Sequence, residues 1–217
     1  MNEPLTHRAA WPLELSAVGQ QRLLDQGLVL PATLDKAVLK RRVEYLAGRY
    51  AARAALASAG LPAQVPGSGS GGEPLWPAGV CGSISHGAGQ AVARVTRAPV
   101  RGLGVDREAW LTPLRAARVV SAVAQPAERA LRPRALSEAE FVTRLFSAKE
   151  TLFKALYPSV RRYLGFATST LVEIDAAGCR LGFTLAPTLQ QSVQAPALWW
   201  VQAAADADGI ECWTWLP

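Results

Sequence analysis

"SEAEFVTRLFSAKETLFKALYP", residues 137–158, decides how the rest of this chain is read. Ser137, followed three residues later by Glu140, makes a capping box in which each side chain answers the other's free backbone N–H. A long helix is therefore expected from Glu138 to about Leu156, with Pro158 stopping it. At about 100° per residue, Phe141, Val142, Leu145, Phe146, Ala148, Leu152, Phe153, Ala155 and Leu156 cover one half of that helix. Lys149 falls inside the apolar half, while Ser147, Glu150, Thr151 and Lys154 lie on the other. Two readings are open. Lys149 snorkels and Glu150–Lys154 is a surface i,i+4 pair worth about 0.3–0.5 kcal/mol, or these charges have partners elsewhere in the chain.

Outward from this helix the pattern alternates. Residues 34–59, rich in Ala, Leu, Arg and Lys and free of proline, predict another long helix ended by Gly60 and Pro62. GSGSGGEP (67–74) is a flexible loop by composition, with Trp76-Pro77 anchoring its far end. VCGSIS (80–85), QAVARV (90–95) and RGLGVD (101–106) predict short strands, and a helical region follows over 113–123. STLVEI (169–174), CRLGFTL (179–185), ALWWVQAAA (197–205) and IECWTWL (210–216) predict an antiparallel sheet. The order helix, strands, helix, strands gives an α+β protein of two pseudo-symmetric halves, 1–103 and 104–217. Each half has an antiparallel sheet and one long helix, with a ligand cleft expected where the halves meet.

Bulk properties narrow the function classes. The chain has 217 residues, half of them hydrophobic and 18% charged, which suffices for a real core. No run of 18 uncharged apolar residues occurs, and the first fifteen residues carry acidic groups and prolines rather than an apolar signal core, so neither secretion nor a membrane span is expected; a cytoplasmic location and a monomeric state are further expectations. Cys81, Cys179 and Cys212 are odd in number and lack CxxC spacing, which predicts free thiols used in packing. A net charge of +6 points to an anionic partner. Nucleic acid is disfavoured, because Trp199, Trp200, Trp213 and Trp215 fall in expected core strands rather than among exposed basic residues.

Beside the charges of the 137–158 helix, three constellations are candidates to carry chemistry. In GLGVDREAW (102–110) strand alternation sends Asp106 and Glu108 to the same face, where they repel unless a cation joins them; otherwise they are a solvated strand end. With Glu150 they supply three oxygen donors of the kind Mg²⁺ takes. CGSISHGAG (81–89) is neither a nucleophile elbow nor a dinucleotide loop, but a strand ending in Ser85-His86-Gly87 suits phosphate contacts, and equally an ordinary turn histidine. His7 is the one other histidine, so a multi-histidine metal site is excluded. Arg42, Arg49 and Arg53 fall within about 40° on the helical wheel, with Lys40 and Arg41 nearby; the face is either polyphosphate-binding or merely solvated.

Taken together and in order, KRRVEYLAGRYAAR, GEPLWPAG, GSISHGAG, GLGVDRE, FSAKETLFKALYP and RRYLGF resemble the Sfp-type 4'-phosphopantetheinyl transferases, especially the enterobactin synthase component D branch. The resemblance extends from about residue 39 to 167. It implies transfer of phosphopantetheine from coenzyme A to a serine of an acyl, peptidyl or aryl carrier protein, with release of adenosine 3',5'-bisphosphate. By the same resemblance Asp106, Glu108 and Glu150 hold the Mg²⁺, and Glu150 takes the serine proton. Lys154 and Lys149 reach the phosphates, Ser85 and His86 lie beside them, and Arg41 and Arg49 hold the nucleotide end, with Arg42 or Arg53 as substitutes. Tyr163 lies along the pantetheine arm. Two departures stand out: Gly71 and Gly72 replace a basic residue before GEP, and Arg107 replaces a small or apolar residue between the carboxylates. The expected partner is an acidic carrier protein of secondary metabolism, such as siderophore synthesis. Arg115, Arg118, Arg129, Arg132 and Arg134 are candidates to steer it. The competing reading is a non-catalytic module that binds coenzyme A.

Overall fold

A computed structural model describes residues 3–217. The chain divides into two compact units at the Pro99–Val100 bond. The first contains, in order, β1 (His7–Pro12), α1 (Ala17–Asp25), α2 (Leu39–Ser58), the two-residue strands β2 (Gly67–Ser68) and β3 (Pro74–Leu75), β4 (Cys81–Gly87) and β5 (Gln90–Thr96). β1, β5 and β4 form an antiparallel sheet in that order. Ala47, Ala51, Ala52 and Ala55 of α2 are buried with Ala91 and Ala93 of β5 in the clusters of this unit. These short side chains let the helix approach the sheet closely.

The second unit runs β6 (Gly102–Ala109), α3 (Pro113–Val123), α4 (Pro126–Arg129), α5 (Glu138–Val160), β7 (Ser169–Ile174), β8 (Arg180–Leu185), α6 (Pro187–Val193), β9 (Trp199–Ala205) and β10 (Gly209–Leu216). Its antiparallel sheet has the order β6-β10-β9-β8-β7, which makes β6 an edge strand. The mixed helix-and-antiparallel-sheet architecture, one long helix per unit, is that expected from the sequence. α5 begins at the expected capping box: Ser137 Oγ accepts from Glu140 N at 3.2 Å, and Glu140 accepts from Ser137 N at 2.9 Å. No helix among the described residues is long and apolar enough to cross a membrane.

Several local expectations change. α5 continues to Val160 with Pro158 inside its last turn, and ends where Arg161 takes a left-handed φ of 51°. Proline removes its own N–H and crowds one carbonyl, which the final turn of a helix tolerates better than its middle. α2 starts at Leu39 rather than Leu34, because 3₁₀ and turn bonds take residues 32–37 and Val38 is extended. The Gly/Ser stretch is an ordered hairpin, with Gly69 N donating to Glu73 O at 2.8 Å and Gly71 N to the Glu73 carboxylate at 3.0 Å. The Trp76 ring, half-buried, lies where a Cβ on Gly82 would stand. β1, α1 and α6 are elements that the sequence reading does not include. Of the four C-terminal tryptophans only Trp199 is fully buried; Trp200, Trp213 and Trp215 are half-exposed. Cys179 is exposed rather than packed, while Cys212 is buried.

Candidate active site

The close approach of α5 to β6 is set by two glycines. A Cβ on Gly102 would overlap the carbonyl of Ala155, and one on Gly104 would overlap that of Thr151. Their absence lets the backbone of the helix rest on the strand. Ser147 and Thr151, expected on the polar half, are consequently buried, and Thr151 Oγ1 bonds the Cys212 carbonyl at 3.3 Å. The glycines of RGLGVD were read from the sequence as turn and strand residues; their role in the helix contact was missed.

Asp106 and Glu108 share the face of β6 that α5 covers. Lys154 of α5 donates to Asp106 Oδ1 at 2.7 Å and to the Val105 carbonyl at 3.1 Å. Burial pushes Glu108 up to about 7, and the charges of Asp106 and Glu150 add to this while Lys154 opposes them. Burial likewise raises Glu150, again with Asp106 adding and Lys154 opposing. Negative charge thus accumulates around Glu108 and Glu150 with the Lys154 ammonium opposing it, an environment that a divalent cation would relieve. Hard oxygen donors of this kind match Mg²⁺ in type. As placed, no group of three His, Cys, Asp or Glu side chains among the described residues is gathered tightly enough to hold a metal, and Lys154 sits on Asp106.

Lys149 goes elsewhere. Its side chain is 1% exposed and its ammonium lies 2.8 Å from Glu128 Oε1, with a further bond to the Val123 carbonyl at 2.8 Å. Glu128, also fully buried, accepts from the backbone N–H groups of Gln125 and Leu171, both at 2.7 Å. The expectation that Lys149 reaches phosphates is therefore not met in this arrangement: the helix period had placed it on the packing side, and a buried carboxylate fixes it there. Burial lowers the Lys149 pKa, against the pull of Glu128. Sequence reading missed Glu128, whose only signal was an acidic residue three positions after Gln125 at a proline-led helix start.

The remaining candidates lie in the first unit, apart from Tyr163. Arg49 is buried, donates to Ser68 Oγ at 2.7 Å and stacks its guanidinium 4.9 Å from the Tyr45 ring centroid. Burial raises the Tyr45 phenol, but hydrogen bonds from Ser68 and Arg49 and the charges of Arg49 and Arg41 outweigh it and leave the pKa lowered. Arg41 is exposed. Arg53 is directed to the Gln26 carbonyl at 2.7 Å, and Arg42 is half-buried. Ser85 is buried while His86 is half-exposed, because neighbouring residues on β4 project to opposite faces. His86 Nδ1 lies 3.7 Å from Glu44 of α2. Tyr163 is exposed and its ring lies 5.7 Å from that of Phe153. Phe153 in turn lines a recess with Lys149, Glu150, Leu164 and Phe166.

The order of these features along the chain is matched by known families. Residues 30–96 match the family described as 4'-phosphopantetheinyl transferase N-terminal domain, and residues 102–202 match the 4'-phosphopantetheinyl transferase superfamily. The chain belongs to the 4'-phosphopantetheinyl transferase superfamily. The acidic trio and Lys154 lie in the superfamily-matched segment, and the arginine and Ser-His positions in the N-terminal one. Over 148 residues the chain is 40% identical to the 4'-phosphopantetheinyl transferase PptT of Mycobacterium tuberculosis, covering 67% of this chain and 64% of that protein. It is 38% identical over 164 residues to the 4'-phosphopantetheinyl transferase Svp of Streptomyces mobaraensis, covering 72% and 64%. It is also 38% identical over 144 residues to enterobactin synthase component D of Salmonella typhi, covering 66% and 59%. The chain spans less than two thirds of the length of each of these superfamily relatives.

Proposed function

We propose that this protein transfers the 4'-phosphopantetheine group of coenzyme A to a serine of an apo carrier protein. The observation that carries the reading is the mutual coupling of Asp106, Glu108 and Glu150 beside Lys154, in a chain of this superfamily. Asp106, Glu108 and Glu150 would hold a Mg²⁺ ion, which when bound neutralises pyrophosphate charge.

The chain's own groups supply the rest. Lys154, already beside Asp106, donates to a phosphate oxygen and offsets charge on the leaving group. Glu150 Oε, its proton affinity raised by burial and by Asp106, accepts the serine Oγ proton directly or through water. The serine oxygen bonds to the phosphorus next to pantetheine, the bridging P–O bond breaks, and adenosine 3',5'-bisphosphate leaves. Arg41, Arg49, Ser85 and His86 take the nucleotide end as phosphate donors, and Tyr163 flanks the pantetheine arm. Lys149 is left out of the set, since its ammonium is spent on Glu128. The net charge of +6 suits an acidic carrier, with the exposed arginines 115, 118, 129, 132 and 134 available to attract it.

The test is incubation with coenzyme A, Mg²⁺ and apo carriers of the acyl, aryl and peptidyl classes, read by intact mass. One phosphopantetheine should appear on at least one carrier, and be lost with Glu150→Gln. Unmodified carriers throughout, with tight coenzyme A binding, would instead mean a non-catalytic binding module.

A further inference from the structure

Arg107 stands between the two carboxylates of β6 in sequence and on the opposite face of the strand in space. Its side chain is 2% exposed, and its guanidinium contacts both carboxylate oxygens of Asp206, at 2.7 and 2.9 Å. Asp206 belongs to the turn joining β9 to β10. The same carboxylate accepts from Asp208 N at 3.0 Å and Gly209 N at 2.9 Å, so the turn is folded around it. Its carbonyl accepts from Trp110 Nε1 at 3.0 Å, and Trp110 N donates to Asp208 O at 3.3 Å. The Trp110 ring then carries the Arg144 guanidinium of α5 4.8 Å above its centroid.

These contacts matter because of where they fall. β6 is an edge strand paired to β10 alone in its sheet, with Glu108 opposite Ile210 and Ala109 opposite Gly209 at its end, so its last residues have a neighbouring strand on one side only. A hard-cation site needs its oxygens within a few tenths of an ångström of a fixed geometry. Fixing residue 107 fixes the backbone on both sides of it, and hence the directions of Asp106 and Glu108 together. Asp206 itself is not buried; it is 51% exposed, so its loss costs the core little.

We propose that the Arg107–Asp206 pair is a positioning device that holds the end of β6 so that Asp106 and Glu108 face α5 together, and that it thereby sets the affinity of the acidic trio for a divalent cation. This rests on the reading of Asp106, Glu108 and Glu150 as cation ligands. Neither Arg107 nor Asp206 touches substrate; both act through the strand.

The test is Mn²⁺ binding to the full chain, without coenzyme A, followed by electron paramagnetic resonance of the free ion. Arg107→Leu, which keeps apolar bulk, and Asp206→Ala should each weaken Mn²⁺ binding about 10- to 100-fold. The double variant should be no weaker than the worse single one, since either change breaks the same link. Asp206→Asn, on an exposed turn, gives a milder variant that keeps the two backbone caps; it should fall between parent and Asp206→Ala. Arg101→Met removes bonds to the Pro217, Val193 and Gln194 carbonyls at the other end of β6, and should lower the melting temperature while leaving Mn²⁺ affinity unchanged. Parent-like Mn²⁺ affinity in folded Arg107→Leu and Asp206→Asn overturns the positioning role alone. Mn²⁺ binding by the parent that survives Asp106→Asn and Glu150→Gln, or no binding by the parent, overturns the ligand reading and this inference with it.

Discussion

The ammonium of Lys154 rests 2.7 Å from Asp106 Oδ1, one helical turn along α5 from Glu150. Its positive charge thereby opposes the negative charge gathered at Glu108 and Glu150. Replacing Lys154 by Met should lower the melting temperature in the presence of a chelator, and added Mg²⁺ should restore most of the loss. Phosphopantetheine transfer by this variant should fall about 100-fold even with saturating Mg²⁺. Equal melting curves for parent and variant in chelator would show that Lys154 does not balance the carboxylates.

The raised carboxyls give stability a definite pH dependence. Glu108 titrates near 7 when folded and near its ordinary 4.5 when unfolded, so the folded state binds more protons between those values. Stability of the metal-free protein should therefore fall as pH rises from about 5 through 7. Mg²⁺ requires the ionised forms, so its stabilising effect should be larger at pH 8 than at pH 5.5. Thermal melts with and without Mg²⁺ at both pH values check this, and a metal effect independent of pH would contradict it.

Lys149 and Glu128 form a fully buried ion pair, and breaking one side strands the other. Lys149→Met should destabilise the protein by about 3–5 kcal/mol in denaturant unfolding. A Lys149→Met/Glu128→Gln double variant should recover part of that loss, because no buried charge remains. If Lys149→Met unfolds like the parent but loses transfer, the lysine reaches substrate after all.

Gly104→Ala tests the contact of α5 with β6. The added methyl meets the Thr151 carbonyl, and helix or strand must shift. We expect a loss of about 1–3 kcal/mol and a larger fall in Mg²⁺ affinity than Gly60→Ala causes. Gly60 ends α2 at φ +70°, with nothing near its missing Cβ.

Much of this protein was legible along the chain. The Ser137–Glu140 capping box, the strand segments of the C-terminal sheet and the alternation that aims Asp106 and Glu108 the same way are local properties. They follow from hydrogen bonds and dihedral preferences over a few residues. Motif order along the sequence was sufficient for the superfamily. Composition misled where tertiary contacts impose order: Ser68, in a stretch read as flexible, is gripped by Arg49 and ordered into a hairpin.

The partners of the charged side chains were another matter. Helical periodicity put Lys149 on the packing side, but only the fold brings Glu128 from α4 to meet it, across 21 positions of sequence. Arg107 is legible as a residue facing away from the carboxylates; that Asp206 waits for it, 99 positions on, depends on β6 pairing with β10 at the sheet edge. Secondary structure is written in short-range periods, whereas the energy of a buried charge depends on which distant group fills the space beside it, and that is settled when sheets and helices pack.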